Sequence, residues 1–354
     1  MTAPTGNAVD AAIGSPAAFA AMRARIADIP RVDIAIKNTP LIEMPNLARH
    51  LGGPRLFIKR DDLTGVALGG NKLRNLEFRL ARTLAEKPDV VIVGLDLQSN
   101  SARQTVGACN KLGLETILVL EGQRPDQVQG NLLIDYLLGA EIHFARDRHE
   151  QRSLLDSLAA DCRAKGRRPH ILNDNPMFDV ASALAYIETL MEMQDQLQAS
   201  AVTPTAFYMS SSGKGAAGFE IARKLFGGFN VHSVTATSEF DVPSRTAAIA
   251  NQTCEALGLD LRLTPEDITN FGGFVGERYG LPSEAGNEAT RLFARHEGII
   301  LDPIYTGKAA AGMIAHIRDG RFTRDDVLVF VHTGGWPAVF TWNQLWTGGN
   351  GPQT

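Results

Sequence analysis

Leu68-Gly69-Gly70-Asn71-Lys72-Leu73-Arg74 sets a lysine between a glycine pair and an apolar-periodic run: Leu73, Leu76, Phe78, Leu80 and Leu84. Two glycines let the backbone turn where a side chain would clash. The run that follows has helical spacing. Lys72 therefore stands at a helix start, where the partial positive charge of the backbone disfavours a second positive charge. That lowers the lysine pKa and frees an amine to attack a carbonyl. The same residues also fit a solvated lysine on an amphipathic helix, and the stretch alone leaves both readings open.

Outward from this stretch the chain alternates strands and helices. A short strand over 55–59 precedes it, stopped by Asp61 and Asp62. After it, strands are predicted over 90–94, 116–120, 141–144 and 170–172, with helices over 101–112, 129–138 and 150–165 between them. Asp174-Asn175-Pro176 breaks the chain before a long helix over 178–197. Strands over 206–209 and 231–236 follow, then a mostly helical region over 244–297 with a glycine-rich break at 271–274. A short strand over 298–302 and a last one over 327–331 complete the pattern. Unbroken apolar runs such as Val90-Val91-Ile92-Val93 suit strands covered on both faces. The alternation argues for an α/β fold with mostly parallel sheets and right-handed crossovers. Before all this, Ser15-Pro16 opens a helix through Ile26, and residues 1–15 are expected to be loosely attached.

Composition bounds the function. The chain has 354 residues, enough for two cores, and is 44% hydrophobic and 21% charged, as in ordinary globular proteins. A net charge of −4 offers no footprint for nucleic acid. No apolar run approaches the length of a membrane helix. Cys109, Cys162 and Cys254 are far apart and odd in number, so neither a metal site nor a disulfide framework is expected. A cytoplasmic address follows from that usage. The N-terminal residues lack the order of a secretory signal.

Four further stretches carry chemistry. Ser210-Ser211-Ser212-Gly213-Lys214-Gly215-Ala216-Ala217-Gly218 is a strand-to-helix turn whose amides can converge on an anion, although small residues alone also make a tight turn. Gln98-Ser99-Asn100-Ser101-Ala102-Arg103-Gln104 opens a helix with groups that suit a carboxylate, or simply caps it. Asp302-Pro303-Ile304-Tyr305-Thr306-Gly307-Lys308 and His332-Thr333-Gly334-Gly335 stand at strand ends, where open α/β sheets bind ligands. No Ser-His-Asp order and no metal cluster is visible.

Together the stretches resemble one family, the pyridoxal-phosphate enzymes of the tryptophan synthase β fold type. Within it the chain is most similar to the subgroup of aminocyclopropanecarboxylate deaminase, D-cysteine desulfhydrase and cysteate sulfo-lyase. The resemblance is carried by TPLIEMPNLARHLGGPRLFIKRDDLTGVALGGNKLRNLEF, QSNSARQTVGACNKLGL, YGLPSEAGNEATRLFARHEGIILDPIYTGKAAAGMI and VLVFVHTGG, in order between residues 39 and 338. It implies pyridoxal 5'-phosphate as cofactor and Lys72 as the Schiff-base lysine. It implies Ser99 at the substrate carboxylate, Asn100 on the cofactor, and Tyr279 and Tyr305 as active-site tyrosines. Residues 211–216, including Ser212, Gly213, Lys214, Gly215 and Ala216, match the phosphate cup. Thr306 matches the position facing the pyridine nitrogen. The aminocyclopropanecarboxylate deaminases carry Glu there, so a neutral Thr306 implies β-elimination, as in the desulfhydrases.

The resemblance further implies a small α/β domain over 75–176, and a large cofactor-binding domain from 1–74 and 177–354. The expected reaction is α,β-elimination from a small amino acid, D-cysteine or a sulfur-bearing analogue such as cysteate, releasing pyruvate, ammonia and a sulfur product. Deamination of 1-aminocyclopropane-1-carboxylate or another small amino acid is the alternative, and a non-catalytic cofactor or ligand binder the more distant one. A homodimer is expected. Two departures stand out. Asn75 replaces a family lysine that helps neutralise the phosphate, and Lys214 brings a charge into the cup, so Lys214 is expected to take over that role. Ser101 stands where relatives tend to have His or Gln beside the substrate.

Overall fold

The computed structural model describes residues 16–175 and 177–347. The expectation for residues 1–15 lies outside them. The chain starts with α1 (Pro16–Ala27), β1 (Leu41–Glu43), α2 (Pro45–Leu51), β2 (Arg55–Lys59) and α3 (Lys72–Ala85). It then alternates through β3 (Val90–Asp96), α4 (Asn100–Lys111), β4 (Glu115–Glu121), α5 (Gly130–Leu137), β5 (Glu141–Ala145), α6 (Arg148–Ala164) and β6 (Pro169–Ile171). The long α7 (Val180–Ala199) leads to β7 (Ala206–Ser210), α8 (Lys214–Phe226), β8 (Asn230–Val234), α9 (Val242–Ala256) and β9 (Asn270–Phe271). α10 (Glu284–Glu297), α11 (Thr306–Arg318), β10 (Val327–Val331) and α12 (Ala338–Thr341) close it.

The strands form two sheets, ordered β1-β2-β10-β7-β8-β9 and β5-β4-β3-β6. All pairs are parallel except β1 with β2. Both sheets are buried on both faces, which explains their apolar runs. On the larger sheet α7, α8 and α9 bury Leu184, Ile187, Leu190, Phe219 and Ile249 against Phe207 and Val329. Its other face meets Phe293, Ala310 and Met313 through Leu328 and Phe330. The smaller sheet packs Val91, Val93, Leu118 and Leu120 on Leu76, Leu80 and Val106. Its opposite face, Ile92 and Val119 among them, is covered by Leu155 and Ala159 of α6.

One expected strand is absent. Residues 298–302 pair with no strand. Gly298, at φ 66°, ends α10, and the Asp302 carboxylate caps α11 by accepting from the amides of Ile304 (2.9 Å), Tyr305 (2.7 Å) and Thr306 (2.9 Å). Its apolar residues therefore serve the core beside α10 and α11 rather than a ladder. The sheet edge beside β8 is taken instead by Asn270 and Phe271, within a region expected to be mostly helical.

Buried charge fixes α3 to its surroundings. Arg74 forks onto Asp61 (2.7 and 2.9 Å) and reaches Glu192 of α7 (3.0 Å), which also pairs with buried Lys59 of β2. Glu77 accepts from the amides of Ile34 and Ala35 at 3.0 and 2.9 Å and pairs with Lys37 at 2.6 Å. Removing one member of such a cluster strands its partners, a loss of about 3–5 kcal/mol. Arg74 and Glu77 thus hold the helix whose first residue is Lys72.

Candidate active site

The backbone into Lys72 is held in a left-handed turn. Ala67, Leu68, Gly69 and Gly70 have φ of 49°, 64°, 66° and 120° in succession. Gly70 closes on Thr64, whose hydroxyl accepts from its amide and donates to its carbonyl, both at 2.8 Å. A Cβ at Gly70 would lie 2.6 Å from the Gln104 side chain, so position 70 leaves no space for one. Arg103, fully buried, donates to the Gly69 carbonyl at 3.1 Å and to that of Ala67. Two residues quoted above for another motif, Arg103 and Gln104, therefore shape the lysine turn, and Gln104 also accepts from the Leu73 amide at 3.1 Å.

The same side chains place Ser99 and Asn100. Ser99 is the N-cap of α4, its hydroxyl accepting from the amides of Ser101 (3.2 Å) and Ala102 (3.3 Å). Asn131 donates to the Asn100 side-chain oxygen at 2.9 Å and accepts from Arg103 at 2.8 Å. The Asn100 carbonyl accepts from Gln104 at 3.0 Å. Asn131 carried no signal in the sequence, because its role depends on α5 meeting α4.

Facing this stands the turn before α8. Gly213, at φ 121°, brings the chain round, and the Ser211 hydroxyl accepts from the amides of Gly213 (3.2 Å) and Ala216 (3.0 Å). The amides of Lys214 and Gly215 stand at the same helix end, where no intrahelical carbonyl precedes them. Ser212 meets Thr235 at 3.3 Å. Gly215 is packed so closely that an added Cβ would lie 2.8 Å from Met209 and 3.0 Å from Tyr186. The Tyr186 hydroxyl accepts from the Asn71 side chain at 2.6 Å, which ties this turn to the lysine turn.

Lys214 does not stand alone. Its ammonium pairs with Asp179 at 2.6 Å and lies 3.5 Å from the centre of the Phe178 ring, and the Arg79 guanidinium carbon lies 4.2 Å from the same centre. Burial lowers its pKa to about 8; Asp179 opposes that shift, while Lys72 and Arg245 push the same way. Arg245 of α9 packs its stem against the cup, 3.4 Å from where a Gly213 Cβ would be. Asn75 is buried one turn beyond Lys72. Arg245 was missed in the sequence, where it reads as an ordinary surface residue of an amphipathic helix.

The other side of the site is tyrosine and carboxylate. The Tyr279 and Tyr305 hydroxyls meet at 2.7 Å, and Tyr279 donates to Asp96 at 3.3 Å. Tyr279 has one proton, and it goes to Asp96, so Tyr305 is the donor between the tyrosines. Beside them Thr306, fully buried, donates to the Asp302 carboxylate at 2.6 Å and accepts from its amide at 2.8 Å. Gly335 packs on Asp302 and Gly334 on Gly70, where added Cβ atoms would lie 2.7 and 2.9 Å away. His332 is buried and donates to the Ile300 carbonyl at 2.9 Å, a structural role.

Protonation follows from these surroundings. Burial lowers the Lys72 pKa, and the nearby Arg79 guanidinium pushes in the same direction. The direction is the one expected from the sequence, but its causes are burial and Arg79 rather than the helix start. Burial pushes Tyr279 up to about 12, with the Asp96 charge adding to it. Burial likewise raises Tyr305 well above its ordinary value. The arrangement offers a lysine with a lowered pKa, two phenols with raised pKa values, and a helix end with free amides between α7 and α9. Among the described residues no group of His, Cys, Asp and Glu could hold a metal.

Comparison with known proteins agrees on the kind of molecule. The family model "Pyridoxal-phosphate dependent enzyme" matches residues 32–334. D-cysteine desulfhydrase of Serratia proteamaculans is 33% identical over 330 residues, 91% of this chain and 98% of the relative. That of Klebsiella pneumoniae (strain 342) is 35% identical over 321 residues, 89% and 96% of the two chains. The solved structure of an ACC deaminase homologue superposes with a TM-score of 0.79 at 30% identity, covering 92% of this chain and 98% of that one. A solved threonine deaminase of T.th., 21% identical with a TM-score of 0.58 over 91% and 98% of the chains, shares the fold.

Proposed function

This chain belongs to the pyridoxal-phosphate dependent enzymes, and from that premise we propose that it is a lyase that eliminates a β-substituent from a small amino acid. D-cysteine is the substrate we favour, with pyruvate, ammonia and a sulfur product released. The relatives named above, similar over nearly their whole length, support that choice. The observation that carries it is a lysine with a lowered pKa, Lys72, whose glycine turn is joined through Gly334 and Gly335 to the Asp302 loop that bears Tyr305 of the hydroxyl pair Tyr279–Tyr305.

The residues fit the cofactor. The turn at Gly213, whose φ of 121° favours glycine, and the open end of α8 suit a phosphate, with Arg245 and Lys214 as nearby cations. Lys72 would hold the aldehyde, Asn100 would hold the ring's polar edge, and Ser212, Gly213, Lys214, Gly215 and Ala216 the phosphate. When bound, pyridoxal phosphate supplies the electron sink for breaking bonds at the substrate's α-carbon. Ser99, at the end of α4, would bind the substrate carboxylate with the help of that helix terminus.

The protein's own groups divide the proton work. The Lys72 amine is suited to take the α-proton at Nζ, because burial favours its neutral form. The tyrosines stay protonated at neutral pH, so they are suited to donate hydrogen bonds rather than act as bases, and the Tyr305 hydroxyl would turn its proton from Tyr279 to the departing sulfur when substrate is bound. Thr306 commits its only proton to Asp302, so position 306 places no ionised side chain of its own at the ring. That favours elimination over the alternative, deamination of 1-aminocyclopropane-1-carboxylate.

We read residues 75–176 as the smaller domain, with the site in the cleft it forms with 1–74 and 177–354. We also read the protein as a cytoplasmic homodimer. Its three cysteines are free and buried, and Leu137 and Phe340 are 83% and 69% exposed, apolar surface that a second copy would cover. Among the described residues no helix is long and apolar enough to cross a membrane. A panel of small amino acids assayed for keto-acid release tests the reading. Pyruvate from D-cysteine supports it; 2-oxobutyrate from aminocyclopropanecarboxylate, without pyruvate from D-cysteine, would replace it with the deaminase.

A further inference from the structure

The tyrosine side of the site contains an acid that the elimination does not require. Asp96 is the last residue of β3, and its carbonyl accepts from the Ser99 amide at 3.0 Å, so it belongs to the turn that carries Ser99 and Asn100. Its side chain is half-buried, and one oxygen accepts from Tyr279. Glu239 adds negative charge near the same tyrosine. Among the described residues neither Asp96 nor Glu239 has a Lys, Arg or His within ion-pair distance. Four buried acids elsewhere, Asp61, Asp62, Glu77 and Glu192, each face a cation, whereas buried Asp302 is held by amides and Thr306. The cations near this site lie instead on the phosphate side, where Lys72 and Arg245 are close enough to Lys214 to lower its pKa.

We infer that Asp96 sets the charge preference for the substrate side chain, so that neutral or cationic β-substituents are accepted and anionic ones are excluded. The inference rests on the proposed function, which puts the substrate between Ser99 and the tyrosines. A half-buried carboxylate such as that of Asp96 repels a sulfonate, carboxylate or phosphate at close range, because it is screened less than a fully exposed one. It accepts from a thiol or an ammonium at no such cost. Cysteate, which shares its sulfur with cysteine but carries a fixed negative charge, is therefore a poor substrate, and D-cysteine a good one. The side chain of 2,3-diaminopropionate, cationic and of similar size, fits as well.

The test uses the cofactor-loaded enzyme and reads binding, not turnover. The visible band of the bound cofactor is titrated with D- and L-alanine, 2,3-diaminopropionate and cysteate, for wild type, Asp96→Asn and Tyr279→Phe. Asn keeps an acceptor for Tyr279 and removes only the charge. Wild type is expected to bind cysteate at least about tenfold more weakly than alanine, and Asp96→Asn to close most of that gap. Tyr279→Phe, which keeps the charge, leaves the gap open. An alanine-to-cysteate ratio that is the same within twofold in wild type and Asp96→Asn overturns the inference, as does tighter binding of cysteate by wild type. A protein that binds these amino acids with the expected ratio but releases no keto acid from any of them keeps the inference and loses the elimination. A preparation whose band responds to no amino acid loses both.

Discussion

The turn before α8 and the tyrosine pair have opposite electrostatics. At the first, Lys214, Arg245, Arg79 and Lys72 gather near a helix N-terminus, with Asp179 offsetting them. At the second, Asp96 and Glu239 stand near two phenols without a cation, among the described residues. Under the proposed function, the difference would let a single site hold a dianion at one end and keep hydroxyl groups protonated at the other. Both ends rely on burial. It makes amines at the cationic end easier to deprotonate, and phenols at the acidic end harder.

The largest effect should come from the group between the two ends. Lys72→Ala removes the amine, and keto-acid release should fall by at least about a thousandfold, with the visible band of the loaded protein lost. A coloured, active Lys72→Ala protein would end the proposed chemistry. Next is the acidic end. Tyr305→Phe removes the proton donor and should reduce kcat about a hundredfold or more with D-cysteine. With β-chloro-D-alanine, whose leaving group needs no proton, the loss should shrink to a few-fold. Equal losses on both substrates would remove Tyr305 from that step.

At the cationic end the effects are on cofactor affinity. Arg245→Ala and Lys214→Ala should each weaken pyridoxal-phosphate binding by about tenfold, measured by equilibrium dialysis. Unchanged affinity in Lys214→Ala would end the idea that it stands in for the lysine missing at Asn75, and would leave its pairing with Asp179 and Phe178 as its whole role. The smallest effect is on pH. A phosphate favours the charged Lys214 ammonium, whose pKa in the empty site is lowered to about 8 by burial. Above that value the amine must be reprotonated on binding, so affinity should fall as pH rises, by about three- to tenfold between pH 7 and pH 9. Lys214→Arg, charged throughout, should flatten that fall relative to wild type; an identical slope would assign it to another group.

Local sequence made much of this legible. The glycine pair before Lys72, the small residues of 211–216 and the helix cap at Ser99 are features of neighbouring residues, and backbone sterics and capping act over a few positions. Strand-helix alternation came from periodicity for the same reason. The misread segment, 298–302, was apolar enough for a strand, yet its residues pack in the core beside α10 and α11 and its Asp302 caps α11, contacts that depend on distant elements. Arg245, Asn131 and Asp96 were silent because each gains its role from an element distant in the chain: the cup, α4 and Tyr279 respectively.

By itself, then, the order of residues determined where a reactive amine would stand, which turns could seat an anion, and which family the chain resembles. Tertiary structure alone decided which charges meet. Lys214 faces Asp179 across Phe178, Thr306 gives its proton to Asp302, and Asp96 reaches Tyr279 over 183 positions of chain. The reason is range. Turn and cap preferences are settled between neighbours along the backbone, whereas protonation and selectivity depend on charge and burial through space, which exist only once the two sheets and their helices have packed.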